Sequence, residues 1–320
     1  MRYFISKTLR LLACMLIIIT LNFLIPRLMP GNPVVMMLGP DAAALSQQDY
    51  AQLAREYGLD QPLLVQYRHY WHSLLSGDLG YSFHYHQPVA QLIQKHLGWT
   101  LLLLGPALIL STLLSLWLGC LAGWRPGSRL DLTLTLGSLL TYAMPQFLLA
   151  MILLSLFGFY LGWFPLGSIQ SGTSHTFLGA VLDTVRHLVL PVTVLTLAAT
   201  STKFLVMRNS VARIRQDDYV RYALAKGIDE KRILFVHVLR NACLPLLSLI
   251  ALNLGFMVSG ALLVEIVFSI NGMGLLIYEA ALYRDYPVLQ ACFLVLTLVV
   301  IGANLMVDLL YGVLDPRVRA

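Results

Sequence analysis

The sequence predicts an all-α membrane protein with six transmembrane helices and both termini on the cytoplasmic side. Three observations carry this expectation: 58% of the 320 residues are apolar and only 12% charged, the mean hydropathy is +0.73, and six long runs lack Asp, Glu, Lys and Arg. An ordinary soluble domain carries roughly 25% charged residues.

The uncharged runs are 11–26, 96–124, 132–182, 187–202, 241–264 and 286–307. Each approaches or exceeds the roughly 20 residues that a helix needs to cross a bilayer. The first follows Arg2, Lys7 and Arg10 and ends at Arg27-Leu28-Met29-Pro30-Gly31 without a small-residue cleavage site, so residues 1–30 read as a retained anchor rather than a signal peptide. The fourth is short, but Lys203 can snorkel to the interface, which allows a helix from about His187 to Met207. The third, 51 residues long, could hold two helices. Parity decides for one: with six spans and an inside N-terminus, sixteen of the 22 basic residues lie inside, whereas a seventh would place the stretch Arg208–Arg240 outside. The polar stretch Gly167–Thr176 then becomes an external loop.

The formal charge of +6 does not point to nucleic acid, because the basic residues flank apolar runs instead of forming a solvated arm. Cys14, Cys120, Cys243 and Cys292 have no metal or redox spacing and read as small core fillers.

Residues 31–95 form an external helical segment. Ser46 and Asp49 resemble a capping box, Tyr50, Leu53, Ala54 and Tyr57 follow at helical spacing, and Gly58 stops the helix. Pro62 opens a second helix whose stripe Leu64, Tyr67, Trp71, Leu74 and Leu75 would lie on the membrane bundle before Gly77. Five of the eight histidines fall in or just beside this segment, and His69 and His72, three apart, are weak candidates for a metal or metal chelate. No Cys and no close carboxylate beyond Asp78 joins them, so no metal site is expected.

Ion-coupled carriers place ionisable groups mid-span. This chain has almost none: Asp308 lies near the inner end of the sixth run and Glu265 at the outer end of the fifth, where they read as caps or loop partners. A phosphate-cradling Walker loop needs Gly-Lys, yet the five lysines follow Ser6, Gln94, Thr202, Ala225 and Glu230. No catalytic residue or bound cofactor is expected, and any ATP-driven force must come from another protein. The one inside loop large enough to receive it is 208–240. It reads as a helix up to Gly227, then a second helix capped by Asp229 and running toward Arg240, which together make an elbow on the membrane surface.

Tyr219-Val220-Arg221-Tyr222-Ala223-Leu224-Ala225-Lys226-Gly227, with Arg240-Asn241-Ala242 and Pro245, resembles the coupling loop of the permease subunits of dipeptide, oligopeptide and nickel ABC importers. Gly58-Leu59-Asp60-Gln61-Pro62-Leu63, Gly77-Asp78-Leu79-Gly80-Tyr81-Ser82, Val264-Glu265-Ile266-Val267-Phe268, Arg284-Asp285-Tyr286-Pro287-Val288 and Asp315-Pro316-Arg317 extend the resemblance over nearly the whole chain. Arg221 and Tyr222 depart from the Glu-Ala opening of the wider pattern, and Asn32 and Asn271 stand where Asp and Pro are common. Asn271-Gly272 can still make a tight turn.

The resemblance implies a type I ABC importer transmembrane fold in the bacterial inner membrane, with a core permease domain at 96–312 and a cytoplasmic tail at 313–320. Tyr219, Arg221, Tyr222, Ala223, Lys226, Gly227, Ile228, Asp229 and Arg240 would form the ATPase-coupling loop. The implied partners are a second homologous permease, two ABC ATPases that hold ATP and Mg, and a periplasmic solute-binding protein; the solute is a di- or oligopeptide or, alternatively, nickel or another metal chelate. Tyr142, Gln146, Asn253 and Ser259 are candidates for the translocation path, with Pro145, Gly255 and Gly260 supplying kinks or close packing. The rival readings are an ion-coupled secondary transporter and a non-transporting membrane scaffold.

Overall fold

The structure is a computed structural model that describes residues 2–28, 52, 55, 60–82, 84–172 and 176–314. The helix expected from Ser46 to Gly58 lies outside the described residues except for Gln52 and Arg55, as do Asn32 and the tail from Asp315. The chain forms two compact units: Met1–Trp99 with Gly272–Ile301, and Thr100–Asn271 with Gly302–Ala320.

Among the described residues, four helices are long and apolar enough to cross a membrane: Val89–Trp124, Phe177–Ile214, Glu230–Ile250 and Tyr286–Val307. A bent pair, Arg129–Ala143 and Gln146–Tyr160, makes a fifth crossing if the pair is one span. Such helices satisfy their own backbone hydrogen bonds, as a lipid-spanning segment must.

In the first unit, α1 (Arg2–Leu28) meets α2 (Leu63–Leu75) through aromatic rings. The Phe23 centroid lies 5.0 Å from Tyr67 and 5.6 Å from Tyr70, and Arg27 covers the Phe23 ring at 3.7 Å. The stripe on α2 is therefore shorter than its pattern suggests: Tyr67, Trp71 and Leu74 are half-buried, while Leu64 and Leu75 are exposed. Pro62 caps α2, and Gly77 closes it with φ +77°.

A two-residue hairpin follows, β1 (Tyr81–Ser82) antiparallel to β2 (Gln87–Pro88). Its side chains reach the turn between α9 (Met273–Leu282) and α10 (Tyr286–Leu314). Ser82 donates to Asp285 at 2.5 Å, Tyr85 donates to Glu279 at 2.5 Å, and the His84 ring stacks on Tyr283 at 3.7 Å. Burial and the Glu279 carboxylate both push the Tyr85 phenol above its ordinary range, so it remains a neutral donor at physiological pH. Asn22 and Gln290 exchange reciprocal side-chain-to-carbonyl hydrogen bonds of 2.6 and 2.7 Å, which tie α1 to α10.

The second unit is built on α6 (Phe177–Ile214) and α8 (Leu239–Val267), with α3 (Val89–Trp124) alongside. Gly119 and Gly123 are four apart on α3. A Cβ at Gly119 would sit 2.7 Å from Met207 Cβ, and one at Gly123 would strike the Arg208 carbonyl and lie 2.8 Å from Val211 Cβ. Small residues at this spacing let two membrane helices approach closely.

The kink expected at Pro145 in the third run is a full break, with α4 (Arg129–Ala143) and α5 (Gln146–Leu153) meeting at 105°. Proline drives the preceding Met144 into an extended conformation (φ −82°, ψ 130°), which cannot continue a helix. A wider π-helical stretch, Leu154–Tyr160, prolongs α5.

Lys203 does not snorkel. It is fully buried and donates to Ser111 Oγ at 2.7 Å and Thr112 Oγ1 at 3.3 Å on α3, because α6 is 38 residues long and carries Lys203 well inside its length. The fifth run is stopped at Ser269 (φ +50°), two residues before the expected Asn271-Gly272 turn, with Ile270 N–H donating to Glu265 O.

Gly119→Leu will therefore cost at least about 2 kcal/mol by forcing α3 and α6 apart. The expected readout is a lower thermal midpoint of the purified chain in detergent, against an unchanged midpoint for Gly137→Leu, where a Cβ meets nothing within 4 Å.

Candidate functional site

The long basic loop folds as the expected elbow, with one more break than the sequence suggested. α6 ends at Ile214, the chain turns over Arg215–Asp217, and α7 (Asp218–Ala225) follows. Gly227, at φ +75°, reverses direction, with Gly227 N–H donating to Leu224 O and Ile228 N–H to Ala223 O. This left-handed position favours glycine. Asp229 then accepts from Arg232 N–H at 3.3 Å, and a helical turn (Glu230–Arg232), a π-helical stretch (Ile233–Val238) and α8 run on without a gap.

One residue of α7, Val220, is buried. It enters a cluster formed by Cys120, Trp124, Met207, Val211, Ile233, Leu234, Val238, Ala242 and Leu246, with Ala223, Leu224 and Ile228 half-buried against it. Tyr219, Arg221, Tyr222, Lys226, Gly227, Asp229 and Arg240 are exposed. Lys226 Nζ lies 4.6 Å from the Tyr222 ring centre, and Asn241 donates to the Tyr219 hydroxyl at 3.2 Å. The nine residues singled out by sequence are thus gathered on one elbow, seven turned to its surface and two helping to seat it. A cavity of about 470 Å³ opens beside the elbow, lined partly by Asn209, Ser210, Arg213 and Asn241.

Side chains outside the loop hold the elbow. Trp124 Nε1 donates to Glu230 Oε2 at 2.9 Å, Arg125 lies 3.8 Å from the same oxygen, and the Arg215 guanidinium sits 5.3 Å above the Trp124 ring. Arg208 donates to Asp131 through Nε at 2.9 Å and Nη2 at 2.5 Å, and Asp131 also accepts from Gly127 N–H at 2.8 Å. Sequence reasoning missed these residues, although Ser128 and Asp131 form a capping-box spacing, and Ser128 Oγ does accept from Asp131 N–H at 3.2 Å.

The path candidates separate. Gln146 approaches Gly260, where a Cβ would strike its amide oxygen, and that oxygen is buried without a hydrogen-bond partner among the described residues. Tyr142 is exposed, while Asn253 and Ser259 bond back to carbonyls of their own helix, Leu249 and Gly255. His69 and His72 are exposed on α2, and among the described residues no group of three His, Cys, Asp or Glu gathers. Glu265 is fully buried and accepts from Thr100 at 2.6 Å.

Several long apolar helices, with an elbow seated on a hydrophobic cluster, define a multi-pass membrane protein. Residues 115–320 match the family described as binding-protein-dependent transport system inner membrane component, and residues 1–104 match its N-terminal membrane component. The chain belongs to this family of ABC transporter permeases. It is 36% identical to the oligopeptide transport system permease protein AppB of Bacillus subtilis over 318 residues, 99% of each chain. It is 35% identical to the di/tripeptide transport system permease protein DppB of Pseudomonas aeruginosa, covering 99% of this chain and 98% of that one. Identity is also 35% to the glutathione transport system permease protein GsiC of Salmonella typhimurium, covering 100% and 99%.

Gly227→Ala will cost about 1 kcal/mol through backbone strain alone, because the added Cβ meets nothing within 4 Å. Faster amide exchange confined to residues 223–228 is the expected readout, and Gly227→Asn should exchange more slowly than the alanine variant.

Proposed function

We propose that this permease subunit passes di- and oligopeptides across the bacterial inner membrane by alternating access. It would work with a second homologous permease, a periplasmic solute-binding protein and two ABC ATPases that hold ATP and Mg. The reading includes six spans with both termini cytoplasmic, α1 providing the first and the bent pair α4–α5 the third. Residues 31–95 are then periplasmic. The peptide class rests on full-length similarity to relatives whose names specify oligopeptides, di- and tripeptides and glutathione.

The observation that carries the mechanism is the seating of α7. Val220 is buried in the cluster beneath, while Tyr219, Arg221, Tyr222 and Lys226 stand exposed above it. A surface of this kind, firmly backed and rich in aromatic and basic groups, suits a protein groove. The ATPases would receive it there, and the recess lined by Arg213 and Asn241 would take a side chain of the same partner. ATP binding would move the elbow, and the helices behind it would open the passage outward. Gln146, beside Gly260, is the path candidate that best fits this role, since a buried amide oxygen without a partner offers a place for a peptide N–H.

Replacing Gly227 with Trp, or deleting Ala223–Gly227, will leave the membrane bundle in place but abolish peptide-stimulated ATP turnover in the reconstituted transporter, by at least about tenfold, the effect of about 1.4 kcal/mol at an interface. Turnover at the parent level would refute the docking role of the elbow. Uptake by this chain without ATPases, driven by a proton or sodium gradient, would refute the importer reading itself.

A further inference from the structure

The elbow is attached not only to the two helices it joins but also to the turn between α3 and α4. Three contacts make the attachment. Asp131, almost fully buried at the start of α4, is held by two hydrogen bonds from Arg208 and one from Gly127 N–H. Trp124, the last residue of α3, donates to Glu230 beyond the Gly227 reversal, and Arg215, before α7, lies over the Trp124 ring. Arg208 lies near the end of α6 and Arg215 just beyond it, both before α7, and Glu230 follows α7, so the α3–α4 turn holds the chain on both sides of the elbow.

We propose that Trp124, Asp131, Arg208 and Glu230 are positioning residues that lock the elbow and the α3–α4 turn into one moving part. A push on α7 is then delivered directly to α3 and α4, as well as along the chain into α6 and α8. The contacts suit this task. A bidentate Arg–carboxylate pair fixes orientation as well as distance. Gly119 and Gly123 remove the slack behind it, since α3 presents no side chain there and packs directly on the Arg208 backbone and the side chains of Met207 and Val211. A single tether would let the elbow pivot, whereas grips on both sides of α7 oppose rotation. The inference rests on the docking role proposed above for the elbow.

The test uses the whole transporter in proteoliposomes, with ATP hydrolysed and a labelled tri-alanine peptide taken up measured together. Asp131→Asn is expected to assemble and hydrolyse ATP but to take up about tenfold less peptide per ATP, because one partner of a buried charge pair has gone. A loss of folding alone would lower both quantities together and leave their ratio unchanged. An undiminished ratio in an assembled Asp131→Asn transporter overturns the proposal.

A second variant keeps the question answerable if Asp131→Asn fails to assemble. Arg125→Cys with Glu230→Cys, made after the four native cysteines are replaced by alanine, is expected to couple poorly until a short bis-maleimide bridges the two positions, and then to regain coupling. Loss of the remaining uptake on bridging would show that the contact must open during transport, and would overturn the single-part proposal. Gly227→Trp is measured alongside. If it keeps coupling, the docking role fails; if it uncouples while Asp131→Asn does not, the lock alone fails.

Discussion

The close approach of α3 to α6 at Gly119 and Gly123 is the constraint on which the site depends. Because neither glycine carries a Cβ, the Arg208 backbone and the Met207 and Val211 side chains of α6 lie directly against α3. Trp124, the residue after Gly123, is thereby brought within 2.9 Å of Glu230, and Arg208 within reach of Asp131. The hydrophobic cluster beneath α7 uses the same neighbourhood, with Cys120, Trp124, Met207 and Val211 packed against Val220. The exposed residues of the elbow are held in place from behind by side chains distant in sequence.

The turns follow a common physical rule. At Gly77, Gly227, Ser269 and Arg284 a left-handed residue lets the following N–H groups return to the last carbonyls of the preceding helix. Two of the four are glycines, the ordinary choice for positive φ. The other two, Ser269 and Arg284, carry side chains in a region that costs them roughly 1 kcal/mol or more. Each is followed closely by a buried, hydrogen-bonded anchor, Ile270 N–H to Glu265 O at 2.9 Å and Asp285 N–H to Ala280 O at 2.8 Å, which offsets that strain.

Burial of polar groups is economical. Asp131, Asp285 and Glu265 are buried carboxylates, and each accepts hydrogen bonds from named partners: Arg208 and Gly127, Ser82 and Val288, and Thr100. Lys203 is buried and donates to the hydroxyls of Ser111 and Thr112 on α3, which hold its ammonium as acceptors. Membrane interiors tolerate such groups when they face protein rather than lipid.

Composition and hydropathy determined that this is a helical membrane protein, because runs of uncharged residues longer than a bilayer is thick have no other stable form. Local stop and start chemistry also made the elbow legible: Gly227 ends one helix because it accepts positive φ, and Asp229 starts the next because its carboxylate meets free N–H groups. The tertiary structure alone decided that Lys203 points into protein, that Pro145 divides a run into two helices at 105°, and that Trp124 and Asp131 grip a loop some eighty to a hundred residues downstream. Those outcomes depend on which helix lies beside which. That is set by how close two backbones can come, a distance that local spacing and hydropathy do not contain.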